Sequence, residues 1–183
     1  RLPGRGAGPP LILLSHLDVV PADARAWSVQ PFAGVVGGGY VIGRGALDAK
    51  GVTVTHALAL VEARRRGLSF ARDLILLATP DEEAGGRGGS ALIVDHHPDL
   101  LGNARYLLTE GGGILPGEGS TPDVWGVAFT EKTPCWVNLS AHGVPGHGAG
   151  PTEAAATHRL VAALGRVSAL HYETQVVPAV AQM

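Results

Sequence analysis

Short apolar runs separated by turns rich in glycine and proline set the rhythm of this chain. Leu11-Ile12-Leu13-Leu14 leads into Ser15, His16 and Asp18. Four apolar residues in succession predict a strand buried on both faces, as in the middle of a parallel sheet. The pattern recurs over residues 73–79, a second buried strand that stops at Pro80, and Tyr106-Leu107-Leu108-Thr109 reads as a third strand. Between the first two runs a helix is predicted from about Ala49 to Arg66. Val54, Leu58 and Val61 keep the i, i+4, i+7 spacing, and Gly67 is a natural C-cap. A shorter helix runs from Ser90 to about His97 and is closed by Pro98. Residues 1–10 read as loop. Residues 21–39 read as a long loop with Trp27 and Phe32 as anchors, followed by a short strand at Tyr40–Ile42. Strand, helix, strand, helix, strand predicts an α/β layer sandwich with a largely parallel sheet.

The pattern changes after about Gly113. Residues 124–130 and 136–141 read as two consecutive strands, residues 143–151 as a Gly/Pro loop carrying His147, and residues 153–170 as a helix. A domain boundary near Glu131–Pro134 divides the chain into 1–132 and 133–183. Two strands and one helix cannot bury both faces of a small sheet. Apolar surface on Trp136, Val137 and the 153–170 helix is therefore expected to be exposed.

Composition narrows the function classes. With 45% apolar and 16% charged residues in 183, the chain fits an ordinary globular protein. A net charge of −2 gives no reason to expect nucleic acid or an anionic membrane as partner. The one basic run, Arg64-Arg65-Arg66, falls at a helix end, where cations complement the helix dipole. Cys135 is the single cysteine, so neither an internal disulfide nor a cysteine-based zinc site is possible. No apolar run approaches the roughly 20 residues of a membrane span, and no stretch reads as a signal peptide. A cytoplasmic location is the expectation. The abrupt opening without Met suggests a piece of something longer.

Three of the strand-like runs end in metal-capable or acidic residues: His16 with Asp18, Glu82 with Glu83, and Glu110. Asp48 begins the first helix. Parallel strands would bring all of these to one sheet edge, where open α/β sheets place their chemistry. Such a charge cluster is costly unless cations neutralise it, and one imidazole among carboxylates suits Zn²⁺, with Mn²⁺ or Co²⁺ as alternatives. His16 with a carboxylate beside it suits a metal ligand held by a neighbouring acid, although a strand running into a polar turn reads equally well. In Glu82-Glu83 one residue can ligate while the other serves as general base; an acidic surface turn is the plainer reading. Gly43-Arg44-Gly45 lacks the third glycine of a dinucleotide fingerprint, and Lys50 lacks a phosphate-loop context. His56, His96, His97, His142, His158 and His171 read as packed or solvated.

Assembled in order, these pieces resemble the M20 family of metallopeptidases and aminoacylases over about residues 11–151. The resemblance rests on Ser15-His16-Leu17-Asp18-Val19-Val20-Pro21, Trp27 with Pro31-Phe32, residues 43–51, Asp81-Glu82-Glu83 with Gly85-Gly86, Glu110-Gly111-Gly112, Glu131-Lys132, and Gly146-His147-Gly148. The Glu110-Gly111-Gly112 and Glu131-Lys132 pieces are most similar to the carboxypeptidase S and N-acyl-amino-acid hydrolase branch. The resemblance implies a three-layer, zinc-peptidase-like α/β core with a mostly parallel sheet, followed by part of an α+β lid or dimerisation domain. It implies two zinc ions. Asp48 would bridge them, His16 and Glu110 would complete one site, and Glu83 would bind the other ion. Glu82 would be the general base and Asp18 would orient His16. His147 would polarise the scissile carbonyl, in many members across a homodimer. The substrate would be a small peptide or N-acyl amino acid, cut at the amide next to a free carboxylate.

Two departures stand out beyond Ala49 where Met is usual. The family's last metal-binding His and its N-terminal helical segment have no counterpart here. A poorly active truncated hydrolase is therefore expected, with a non-catalytic metal-binding or dimerising fragment as the rival reading.

Overall fold

The computed structural model describes residues 1–181 apart from Ser120, Thr133 and Pro151. Its centre is β1 (Leu11–His16), flanked by β4 (Leu74–Thr79) on one side and β5 (Tyr106–Leu108) on the other. Both pairings are parallel. The first runs in register from Leu11↔Leu74 to His16↔Thr79, the second from Leu11↔Tyr106 to Leu13↔Leu108. A mixed α/β fold with a parallel central sheet is thus what the apolar runs build. Because β1 has a neighbour on each side, its Ile12 and Leu13 are buried, and with Ile75, Ala49 and Ala63 they form the apolar core. β5 has one strand neighbour among the described residues, and its three residues stay exposed.

Helix α1 (Lys50–Arg65) packs on β1 and β4. Its C-terminus is a Schellman motif: Gly67, at φ +62°, donates to the Arg64 carbonyl, and Leu68 donates to the Ala63 carbonyl. The face it buries is not the expected one. Val54, Leu58 and Val61 are exposed, while His56 and Ala63 are buried and Thr53 and Leu60 half-buried. Both stripes satisfy the helical period. The choice is made at the first turn, where Lys50 and Thr53 are tied to the end of β1 and rotate the 53/56/60/63 face inward.

Two hairpins and a short helix complete this part. β2 (Val35–Gly37) pairs with β3 (Tyr40–Ile42) around Gly38 and Gly39, both at positive φ as a type I′ turn requires. β2 falls in what reads from sequence as loop, and Phe32 is exposed rather than an anchor, whereas Trp27 is half-buried beneath the Arg44 guanidinium at 5.3 Å. β6 (Gly113–Leu115) pairs with β7 (Val124–Gly126), which is shorter than the 124–130 strand expected. Helix α2 spans Ser90–His96. Leu2 and Leu74, at the start of β4, exchange backbone hydrogen bonds, and Arg5 and Ala7 donate to the Phe70 and Ala71 carbonyls that precede the strand.

The chain divides into two units, Arg1–Lys132 and Thr133–Met183. In the second, α3 (Ala156–Ser168) turns Ala156, Leu160 and Ala163 partly inward, and Arg159 donates to the His142 carbonyl at 3.1 Å. Gly143 approaches the start of α3 so closely that a Cβ would lie 2.3 Å from the Ala156 nitrogen. The strand expected over 136–141 is absent: no described residue pairs with it, and an apolar alternation without a ladder partner does not make a strand. Trp136, Val137, Val161 and Leu164 are exposed. A four-residue helix, α4 (Pro178–Ala181), follows. No helix among the described residues is long and apolar enough to cross a membrane.

Candidate metal centre

The parallel sheet delivers the carboxyl ends of β1, β4 and β5 to one edge. His16, the last residue of β1, is 2% exposed. Glu82 and Glu83 follow β4 after Pro80 and Asp81, Glu110 follows β5 by two residues, and Asp48 lies two residues before the start of α1.

The His16 ring joins these groups. Its Nδ1 lies 3.0 Å from the Asp18 carbonyl, and a carbonyl can only accept, so Nδ1 carries hydrogen. Nε2 lies 3.0 Å from Asp48 Oδ1 and 3.4 Å from Glu110 Oε1. A neutral imidazole protonated on Nδ1 turns a lone pair toward two carboxylate oxygens. That arrangement is repulsive unless a proton or a cation lies between them. Two sets of ligand atoms lie within 4.8 Å of one another, His16–Asp48–Glu83 and His16–Glu82–Glu110. A cavity of about 560 Å³ opens on the cluster, lined by Asp48, Glu82 and Glu110 with Leu47, Ala49 and Val52. The donor set fits a divalent cation.

The titration behaviour matches this crowding. Burial alone would lower the His16 pKa; the hydrogen bond to Asp48, the charges of Glu110 and Glu82, and the Asp18 carbonyl outweigh it, and the net shift is upward. Glu110 is pushed up by burial and by the charges of Asp48, Glu82 and Glu131 against the pull of His16. Asp18 is held low: burial opposes ionisation, but the backbone N–H groups of Glu83 and Glu82 prevail.

Asp18 shows a feature that sequence reading missed. Its carboxylate accepts the Glu82 N–H at 3.2 Å and the Glu83 N–H at 3.1 Å, while its Oδ1 lies 3.5 Å from His16 Nδ1. The carboxylate therefore anchors the Glu82-Glu83 turn, and the Asp18 carbonyl makes the shorter contact to the ring. Glu83 Oε1 in turn accepts the Val20 N–H at 3.3 Å. Asp81 holds the turn from the other side. It sits at φ +69°, and its Oδ2 accepts the Gly88 N–H at 2.7 Å. Lys50 and Thr53 were not singled out from sequence for this site. Lys50 donates to the Leu17 carbonyl, and the Thr53 hydroxyl lies 3.0 Å from Ser15 Oγ and 3.3 Å from the His16 carbonyl. Their signal was position alone, the first turn of the helix that follows Asp48. The structure thus gathers His16, Asp18, Asp48, Glu82, Glu83 and Glu110. His147 belongs to the second unit, exposed on a turn where its Nδ1 accepts the Ala149 N–H at 3.1 Å.

The profile of peptidase family M20/M25/M40 matches residues 12–181. Aminoacylase-1 of Sus scrofa is 34% identical over 151 residues, covering 82% of this chain and 36% of that protein. The N-fatty-acyl-amino acid synthase/hydrolase PM20D1 of Xenopus tropicalis is 33% identical over 160 residues, covering 86% of this chain and 31% of that protein. Aminoacylase-1 of Homo sapiens is 32% identical over 151 residues, 82% of this chain and 36% of that protein. The chain spans about a third of the length of these relatives. With a family profile matched along nearly its whole length, this chain belongs to peptidase family M20/M25/M40.

Proposed function

We propose that this chain carries the metal-holding part of a hydrolase that cleaves a peptide or N-acyl amide bond next to a free carboxylate. The observation that carries the reading is the convergence of His16 Nε2 with Asp48 Oδ1 at 3.0 Å and Glu110 Oε1 at 3.4 Å, a crowding of ligand atoms that a divalent cation would make favourable. His16, Asp48 and Glu110 would hold one ion, and Glu83 with Asp48 a second, Zn²⁺ being the ion this donor set suits best. Bound there, such ions supply Lewis acidity to an attacking water and to the scissile carbonyl. The protein supplies the rest. Glu82 is the general base: it takes a proton from the water and passes it to the departing amine nitrogen. Asp18 keeps Glu82 and Glu83 in place through their backbone and helps hold the His16 ring. His147 would stabilise the developing oxyanion. The unit Arg1–Lys132 is the catalytic part, built on the three-layer plan, and Thr133–Met183 is part of a lid through which two copies pair. The relatives' printed names, an aminoacylase and an N-fatty-acyl-amino acid synthase/hydrolase, support N-acyl amino acids over longer peptides as substrate.

The test is to equilibrate the protein with Zn²⁺, measure bound metal, and follow amino-acid release from N-acyl amino acids beside a His16→Ala variant. Zinc binding and release that both depend on His16 are expected. Equal zinc uptake by the variant, or release unaffected by a chelator, would sink the reading.

A further inference from the structure

We infer that Lys50 and Thr53, in the first turn of α1, are positioning residues that set the His16 ring for metal binding; this rests on the proposed metal site. The last residues of β1 are held from two sides. On the sheet side the Leu17 N–H donates to the Thr79 carbonyl at 2.9 Å. On the helix side, Lys50 Nζ donates to the Leu17 carbonyl. The Thr53 hydroxyl reaches Ser15 Oγ and the His16 carbonyl. Both of these last contacts are satisfied when Ser15 donates to Thr53 and Thr53 donates to the carbonyl. The carbonyl of His16 and the carbonyl after it are thus gripped by one turn of one helix.

That helix begins two residues after Asp48. The position of the His16 backbone and that of Asp48 are therefore referred to the same rigid element, although 32 residues separate them in sequence. Such distances matter here because His16 Nε2 and Asp48 Oδ1 must share an ion at fixed geometry. Gly45 is part of the device. It is buried at φ +86°, and a Cβ there would stand 2.8 Å from Val19 Cγ1 and 3.0 Å from Lys50 Cε. The missing side chain is what lets the Lys50 stem run down to the Leu17 carbonyl. Lys50 and Thr53 do not line the cavity that opens on the cluster, and their hydrogen bonds go to Ser15 and to the carbonyls of His16 and Leu17, so their effect passes through the backbone around His16.

The experiment uses Thr53→Val, which keeps shape and removes the hydroxyl, Lys50→Met, which keeps the stem and removes the ammonium, and Thr53→Ser as the rescue. Zn²⁺ affinity is measured by competition with a chromophoric chelator. Protection of the His16 Nδ1 proton from exchange is measured by NMR on the metal-free protein, and circular dichroism checks the fold. Thr53→Val and Lys50→Met should each weaken Zn²⁺ binding about tenfold or more and speed exchange of the Nδ1 proton, and Thr53→Ser should restore both. Unchanged exchange in folded Thr53→Val and Lys50→Met proteins would overturn the inference, whether or not the parent binds zinc. A parent that binds no zinc overturns the functional reading separately, and the exchange measurement then decides the positioning role alone. If Thr53→Val does not fold, Lys50→Met carries the same decision.

Discussion

The Asp18 carboxylate accepts the backbone N–H of Glu83 at 3.1 Å, across 65 residues of sequence. Together with the Glu82 N–H, this contact makes Asp18 the fastening of the acidic turn after β4 to the end of β1. Two hydrogen bonds to one carboxylate are charge-assisted, and each is worth about 1.5–3 kcal/mol where solvent is excluded, less at a partly exposed group such as this. Asp18→Ala should therefore loosen the Glu82-Glu83 turn and weaken metal binding while leaving β1 and β4 paired. Amide exchange at Glu82 and Glu83 is the direct measurement, and protection equal to the parent's would contradict it.

Glu82 and Glu83 should separate under substitution. Glu82→Gln changes proton transfer and not ligation, so turnover should fall by about 10²–10⁴ with metal content nearly intact. Glu83→Gln should lose metal as well as turnover. Metal analysis beside single-turnover rates checks both, and matching metal loss in the two variants would void the assignment.

Zinc should raise the midpoint of thermal unfolding. A ligand that binds only the folded state at 100 times its Kd adds about 2.7 kcal/mol. The rise should disappear in His16→Ala and on adding a chelator. An equal rise in His16→Ala would show that zinc stabilises the fold from elsewhere.

His56 should make the fold acid-sensitive. It is buried on α1, its Nδ1 has no hydrogen-bond partner, and burial pushes its pKa below the ordinary 6.5. The folded state therefore binds its proton less readily than the unfolded chain. Its contribution is fully present above pH 6.5 and is lost as pH falls from there through the lowered folded value. His56→Leu should flatten this limb and add about 1 kcal/mol at neutral pH by removing an unsatisfied polar atom. Thermal midpoints from pH 5 to 8 read the effect, and parallel curves for parent and variant would count against it.

Gly67 closes α1 in the left-handed region, where a Cβ costs about 1–2 kcal/mol. Gly67→Ala should destabilise by that order, and Gly67→Asn by less. Urea titration compares the three proteins, and an alanine variant as stable as the parent would remove the strain argument.

Local pattern alone determined much of this protein. The apolar runs at 11–14, 74–78 and 106–108 carry their own strand signal, and Gly67 ends α1 through backbone conformation that no distant residue needs to supply. The acids and His16 could be placed at strand and helix ends because parallel pairing brings those ends to one edge. Of the β2–β3 hairpin only β3 was read from sequence, because Val35-Val36 is too short a run to stand out from the loop until it pairs with Tyr40–Ile42. What tertiary structure decided was every relation that depends on distant partners. Val54, Leu58 and Val61 fit the helical period as well as Thr53, His56, Leu60 and Ala63; the tethers of Lys50 and Thr53 to β1 chose between them. The strand expected over 136–141 needed a partner, and its own alternation could not provide one. Asp18 looked like a companion of His16 because the two are neighbours in sequence. Beside its contact with the His16 ring its carboxylate holds backbone 64 and 65 residues away, because a carboxylate takes well-aligned N–H groups and only the folded chain brings them there.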